Sequence, residues 1–298
     1  MSQIFDALHQ SASERAGNGT REFSAAKELL QVVERKSASS AALADAPSAP
    51  VIRDPGRPYP SVKSDVSAHS KFVCFNHTES LAAEKFRFLA TRLRHMQQKR
   101  SLKRLVITSS VTGEGKSIVA ANLAWALAAG KQQVLLVEGD LRRPSLAQHL
   151  GLRDLPGLSQ MLRSTNDGLN NIHCLENSGL HVLLAGEAHN NPLEFMDAGK
   201  LSSLMDRIST AFDWVVIDSP PVLPLADTSM WIRMAEGILL VMRPGVTSKR
   251  QLQRTYEALE QSKLLGSVLN ASNETATNHY YHYYAGNGGL QVSSSSAK

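Results

Sequence analysis

The feature that most constrains this chain is the segment Ser110-Val-Thr-Gly-Glu-Gly-Lys-Ser117, set between two apolar runs of different character. Before it, Arg104–Thr108 is short, β-branched and suited to a buried strand. After it, Lys116–Ala129 is rich in alanine and leucine and reads as a helix. Strand, glycine-rich loop and helix in that order form the context a Walker A phosphate loop requires. Gly113 and Gly115 let the backbone turn tightly enough for its N–H groups to surround phosphate oxygens. The start of the helix adds partial positive charge at the same point. The consensus opens with glycine, where this chain has Ser110.

The expected nucleotide cradle is Thr112, Gly113, Glu114, Gly115, Lys116, Ser117 and Ile118, with ATP as ligand and Mg²⁺ as its companion. Lys116 would reach the β- and γ-phosphates, and the Ser117 hydroxyl would bind Mg²⁺. Two acidic strand ends support this. Gln133–Val137 runs into Glu138-Gly-Asp140-Leu-Arg142, and Trp214-Val-Val-Ile-Asp218 has the form of a Walker B strand. If the chain stays extended past Val137, Glu138 and Asp140 share one face, since strand side chains alternate with period two. Lys116, Glu138, Asp140 and Asp218 are thus the candidate catalytic residues, with Ser117, Asp140 and Asp218 expected at the metal. Little covalent chemistry is asked of such a centre; positioning and charge neutralisation carry the rate.

The rest of the chain supports an α/β reading. Further strand-like runs occur at Leu180–Leu184, Gly237–Met242 and Leu264–Leu269, with helix-like segments at Pro192–Ile208 and Ser248–Lys263. This alternation predicts a P-loop NTPase fold, a mostly parallel β-sheet with helices on both faces. Residues 1–36 carry two amphipathic stretches, one with Ile4, Phe5 and Leu8, the other with Phe23, Ala26, Leu30 and Val33. Residues 37–70, rich in Ser, Ala and Pro, read as a flexible linker. The P-loop domain is then expected over 71–270, and a flexible tail over 271–298.

Composition enters through charge. Lys71–Arg104 holds nine basic residues against Glu79 and Glu84, while the whole chain is only +5. Such a stretch suits an anionic membrane surface, an acidic partner or a plain solvated face. Nucleic acid is not expected, because no aromatic platform or recognition motif accompanies the charge. Cys74 and Cys174 lie too far apart in sequence to suggest a disulfide framework or zinc cluster, and read as reduced thiols. No apolar run approaches about 18 residues and the start lacks signal-peptide character, which predicts a cytoplasmic protein.

The three phosphate-site motifs, in this order, resemble the bacterial tyrosine kinases, the autokinases of capsule and exopolysaccharide synthesis. Leu184-Ala-Gly186, Asn191-Pro-Leu-Glu194 and Ser219-Pro-Pro-Val-Leu before Ala226-Asp227 add to the likeness. So does the tail His279-Tyr280-Tyr281-His282-Tyr283-Tyr284, which looks like the family's tyrosine cluster. The resemblance covers about residues 79 to 285. It implies tyrosine autophosphorylation, with Tyr280, Tyr281, Tyr283 and Tyr284 as acceptors. It also implies a separate membrane-embedded polysaccharide chain-length regulator as activator, a protein-tyrosine phosphatase, and a homo-oligomer. Localisation would be cytoplasmic, peripheral to the inner membrane through that partner.

Two positions depart from the family pattern. Glu138 stands where the family's Asp-x-Asp-x-Arg motif has its first Asp, and Ala90 replaces the last Arg of the self-association motif begun by Glu84 and Arg87. Two other readings share the fold. A cell-division or plasmid-partition ATPase would carry a signature lysine where this chain has Val111. A non-catalytic ATP-binding regulator would be compatible with Glu138 and Ala90.

Overall fold

The computed structural model describes residues 59–271, apart from 69, 153–154, 165–168, 195 and 224–225. The N-terminal amphipathic stretches and the tyrosine cluster lie outside the described residues.

In chain order the elements are β1 (Ser61–Val62), α1 (Val73–Asn76), α2 (Leu81–Lys99), β2 (Arg104–Ser109) and α3 (Lys116–Ala128). Then come β3 (Val134–Glu138), α4 (Leu146–Leu150), α5 (Leu158–Arg163), β4 (His173–Leu175) and β5 (Leu180–Leu183). A 3-10 turn at Pro192–Glu194 leads to α6 (Ala198–Ala211), β6 (Trp214–Asp218), α7 (Asp227–Met234) and β7 (Gly237–Met242). The last elements are α8 (Lys249–Ala258), a second 3-10 turn at Gln261–Lys263 and β8 (Leu264–Leu269).

The strands form one eight-stranded sheet, ordered β1-β4-β5-β3-β6-β2-β7-β8. All neighbouring pairs are parallel except β4 with β5. Alternation along the central strands feeds two cores. Leu105 and Ile107 of β2 and Leu136 of β3 pack on one face beneath α1, α2 and α3. Val106, Leu135, Val137 and Ile217 point to the other, beneath α5, α6 and α7. Helix α3 is buried nearly all round because α1 and α2 cover the side the sheet does not. Its Asn122 accepts from the Cys74 amide (2.8 Å) and donates to the Lys71 carbonyl (3.1 Å), fastening α1 to the helix that opens at the phosphate loop.

Several boundaries differ from the sequence reading. The helix expected over Pro192–Ile208 breaks, and α6 begins afresh where the Asp197 carboxylate accepts the Lys200 amide at 2.8 Å. The helix expected over Ser248–Lys263 stops at Ala258. Part of the linker assigned to 37–70 belongs to the sheet: Pro60 and Val62 accept from the amides of Cys174 (2.9 Å) and Glu176 (3.0 Å). Tyr59 stacks on Phe212 at 5.7 Å and meets His181 edge-on at 5.2 Å. Edge-strand hydrogen bonds together with a few apolar anchors, Tyr59, Val62 and Val66, recruit this stretch, and overall composition concealed it.

Both cysteines are free, and burial pushes the Cys74 thiol up to about 12. Ala90 is fully buried, against α3, while Glu84 and Arg87 pair at 2.5 Å on the exposed side of α2. Among the described residues no helix is long and apolar enough to cross a membrane.

Candidate active site at the carboxyl edge of the sheet

The central strands β2, β3 and β6 end side by side, Ile107 and Glu138 both in register with Asp218. Between β2 and α3 the phosphate loop turns on Gly113 (φ 85°) and Gly115 (φ 91°), where a side chain would be strained. Gly115 also caps α3, so the loop's N–H groups and the helix start converge.

The loop is braced from β7 and β8. The Glu114 side chain is fully buried; it accepts the Val111 amide at 2.9 Å and the Thr247 hydroxyl. Thr247 also accepts the Arg243 amide at 3.2 Å, and the Arg243 guanidinium donates to the Gly113 carbonyl at 3.3 Å. Asn270, just past β8, donates to the Glu114 carbonyl at 2.9 Å, against Gly115, where an added Cβ would clash with its side-chain nitrogen. Glu114 lies in the loop expected to cradle the nucleotide through backbone N–H groups, and its carboxylate faces the scaffold. Arg243, Thr247 and Asn270 escaped sequence reading. The only signal was their position at two strand ends, where ligands gather in such folds.

Lys116 lies between two acids, its Nζ 3.0 Å from Asp140 Oδ2 and 3.7 Å from Asp218 Oδ1, with the Ser117 hydroxyl at 3.4 Å. Burial works against its charge. The carboxylates of Asp218 and Asp140, with Glu138 behind them, outweigh that and hold its pKa above the ordinary value. Asp218 is 1% exposed; burial raises its pKa, and Lys116 only partly offsets the effect. No donor makes a hydrogen bond of ordinary geometry to either Asp218 oxygen, although Ser117 and Lys116 sit close enough to lower its pKa in part. One ammonium facing two buried carboxylates leaves negative charge over. Orphaned carboxylate oxygens beside a serine hydroxyl are a donor set fitted to a hard cation such as Mg²⁺. Ser117, Asp140 and Asp218 thus come together with Lys116 as expected.

Glu138 does not join them in the same way. β3 ends at Glu138 and the chain bends, so the extended path that would align its side chain with Asp140 is lost. Its Oε1 accepts from the amides of Ser145 (2.5 Å) and Leu146 (2.6 Å), its Oε2 from Ala185 (3.0 Å). Burial pushes this carboxyl up to about 7 against the pull of those three donors. Arg142, the last residue of the motif, makes a two-pronged pair with the buried Asp227 (2.5 and 3.2 Å) and donates to the Asn190 carbonyl. Thr112 and Ile118 lie in the loop and the first turn of α3, where they were expected.

Fold and site together define a P-loop NTPase, and the ParA family, described as NUBPL iron-transfer P-loop NTPases, matches residues 101–297. More specific likenesses lie within that class. Tyrosine-protein kinase YwqD of Bacillus subtilis is 32% identical over 213 residues, 71% of this chain and 90% of its own. The kinase domain of the Escherichia coli tyrosine kinase ETK superposes with a TM-score of 0.64 at 28% identity, covering 69% of this chain and 82% of that one. The succinoglycan biosynthesis transport protein ExoP of Rhizobium meliloti is 32% identical over 181 residues, 59% of this chain and 23% of its own length. The chain belongs to the bacterial tyrosine kinases, the ATP-dependent tyrosine autokinases of exopolysaccharide and capsule synthesis. Partition-type ATPases are its more distant relatives within the P-loop class.

Proposed function

We propose that this chain transfers the γ-phosphate of ATP to Tyr280, Tyr281, Tyr283 and Tyr284 of its own tail or of a neighbouring copy. The observation that carries the reading is Lys116 held between Asp140 and Asp218 at the mouth of a glycine-turned phosphate loop. On nucleotide arrival Lys116 exchanges a carboxylate for phosphate oxygens, and the N–H groups of residues 112–118 cradle the rest. Ser117, Asp140 and Asp218 would hold Mg²⁺, which supplies charge neutralisation across the phosphates. The tyrosine oxygen then bonds to the γ-phosphorus as its proton passes to a carboxylate of the centre and on to solvent, the bond to the bridging oxygen breaks, and ADP leaves.

The root of the tail favours this route. Asn270 touches the phosphate loop, and Tyr280 lies ten residue steps further along the chain. At about 3.4 Å each they reach about 34 Å, enough for the chain's own site or another's. The tail lies outside the described residues, so the acceptors rest on sequence and reach.

A membrane-embedded polysaccharide chain-length regulator is the proposed activator, met through the basic stretch Lys71–Arg104. That would make the protein cytoplasmic and peripheral to the membrane. A protein-tyrosine phosphatase would reset the tail. Self-association of the family's kind would lean on the exposed Glu84 and Arg87 alone, since Ala90 is buried.

The test is incubation with Mg·ATP followed by mass spectrometry for phosphotyrosine, with Lys116→Met as control. Phosphotyrosine in the tail of the parent protein and none in the variant is the expected result. Equal modification in both would remove Lys116 from the site.

A further inference from the structure

The bend that follows β3 carries Asp140; besides the His189 amide on the Leu141 carbonyl (2.8 Å), three side-chain anchors hold it. Gly139 donates to the Asp218 carbonyl at 2.8 Å and sits against Trp231, whose indole nitrogen donates back to the Gly139 carbonyl at 3.2 Å. Arg142 is tied to Asp227 and Asn190. The third anchor is Glu138, whose carboxylate closes the bend upon itself. It stands at the last residue of β3 and receives the amides of Ser145 and Leu146, seven and eight residues on. Its other oxygen receives Ala185, just beyond β5.

Three backbone donors on one fully buried carboxylate are strong, charge-assisted contacts. They also satisfy amides at the start of α4 that no Ser145 side-chain cap serves. An aspartate at 138 would fall one bond short, about 1.5 Å, of all three donors at once. Glutamate is therefore the length this bend requires, and the departure from an Asp-x-Asp pattern has a structural cause.

We infer that Glu138 is a positioning residue: it clamps residues 145, 146 and 185 to the end of β3 so that Asp140 faces Lys116, and it is not a third metal-facing carboxylate. The inference rests on the proposed role of Asp140 beside Lys116. Its consequence reverses the expectation that the family pattern suggests. A metal-facing acid tolerates Asp and fails as Gln. A clamp largely tolerates Gln, whose carbonyl oxygen still takes the Ser145 and Leu146 amides while its NH2 group gives up the Ala185 amide, and fails as Asp, which gives up all three.

Two measurements test it. In the unmodified full chain, amide hydrogen exchange at Ser145, Leu146 and Ala185 is followed without ligand, with Mg²⁺ alone, and with Mg²⁺ and a non-hydrolysable ATP analogue. The clamp predicts the same strong protection in all three. Loss of protection on adding Mg²⁺ would show Glu138 leaving the amides for the metal, and would overturn the inference. This readout needs no kinase activity, so it stands even if no phosphotyrosine forms.

The second measurement compares Glu138→Gln with Glu138→Asp. Glu138→Asp should lose about a hundredfold in kcat through a shift near 1 Å at Asp140, with the ATP KM little changed. Amide protection at 145 and 146 should fall with it, and Glu138→Gln should keep both within about tenfold. Wild-type kcat in Glu138→Asp, or a greater loss in Glu138→Gln, would refute the clamp.

Discussion

Replacing Thr247 by valine removes one hydroxyl from the brace behind the phosphate loop and almost no volume. In the folded protein that hydroxyl serves Glu114, whose carboxylate is wholly buried, and also accepts the Arg243 amide at 3.2 Å. With valine, one Glu114 oxygen loses its donor and cannot recruit solvent without opening the loop. A hydrogen bond to a buried charged group contributes about 1.5–3 kcal/mol, so a loss of about 2 kcal/mol is expected. For a domain of roughly 200 residues that lowers Tm by about 4–8 °C. Part of the same strain must be relieved whenever the loop closes on phosphate. Nucleotide affinity should therefore drop about tenfold, equivalent to about 1.4 kcal/mol. Differential scanning calorimetry gives the first quantity and titration calorimetry with a non-hydrolysable ATP analogue the second. A cycle with Glu114→Gln isolates the pair, and the two losses should be far from additive. A Thr247→Val protein with wild-type Tm and affinity, or full additivity in the cycle, would show that the contact is idle.

Two further outcomes follow from the tail and from the sheet edge. Replacing Tyr280, Tyr281, Tyr283 and Tyr284 together by Phe should abolish phosphotyrosine while leaving ATP hydrolysis intact. Undiminished phosphotyrosine would move the acceptor to Tyr59 or Tyr256. His181, packed between Tyr59 and Phe212, has its pKa lowered by burial, so folding favours its neutral form. That stabilisation is present above the unfolded pKa of about 6.5 and is lost as pH falls through the lower folded value. Tm measured from pH 7.5 to 5.5 should thus fall, and fall less steeply in His181→Gln; parallel curves would refute the assignment.

Much of this was legible before any coordinates, for one physical reason. Buried parallel strands are continuous apolar runs, and β7 matches its expected bounds Gly237–Met242; the half-buried edge strand β8 also matches, at Leu264–Leu269. The phosphate loop was legible because its glycines are demanded by backbone geometry. What stayed hidden depends on contacts distant in sequence. β1 is a two-residue strand in a Pro-rich stretch, and only its partner β4 defines it. Asp227 looks like any acid at a helix start until Arg142, 85 residues earlier, is found against it. Glu138 was read by assuming that β3 continues. The bend after it turns a period-two argument into a wrong one, and the residues that receive its carboxylate are backbone amides with no side-chain signature.

The position of Lys116 ties the two halves of ligand binding together. Its Nζ lies 3.0 Å from Asp140 and 3.7 Å from Asp218, both buried, so in this state the lysine is the neutralising cation of the acidic centre. It cannot serve there and at a phosphate with equal strength. When it turns to the nucleotide, two carboxylates are left in a low-dielectric setting, Asp218 with neither oxygen hydrogen-bonded. Leaving such charges unpaired costs several kcal/mol. The nucleotide should therefore enter most readily with a cation already on its phosphates, and metal-free ATP should bind far more weakly than Mg·ATP. The same logic reaches the tail. Each phosphotyrosine brings about −1.5 to −2 charges toward a centre already in acidic excess. If the tail is modified as proposed, it should be repelled from the edge where Asn270, at its root, meets the phosphate loop.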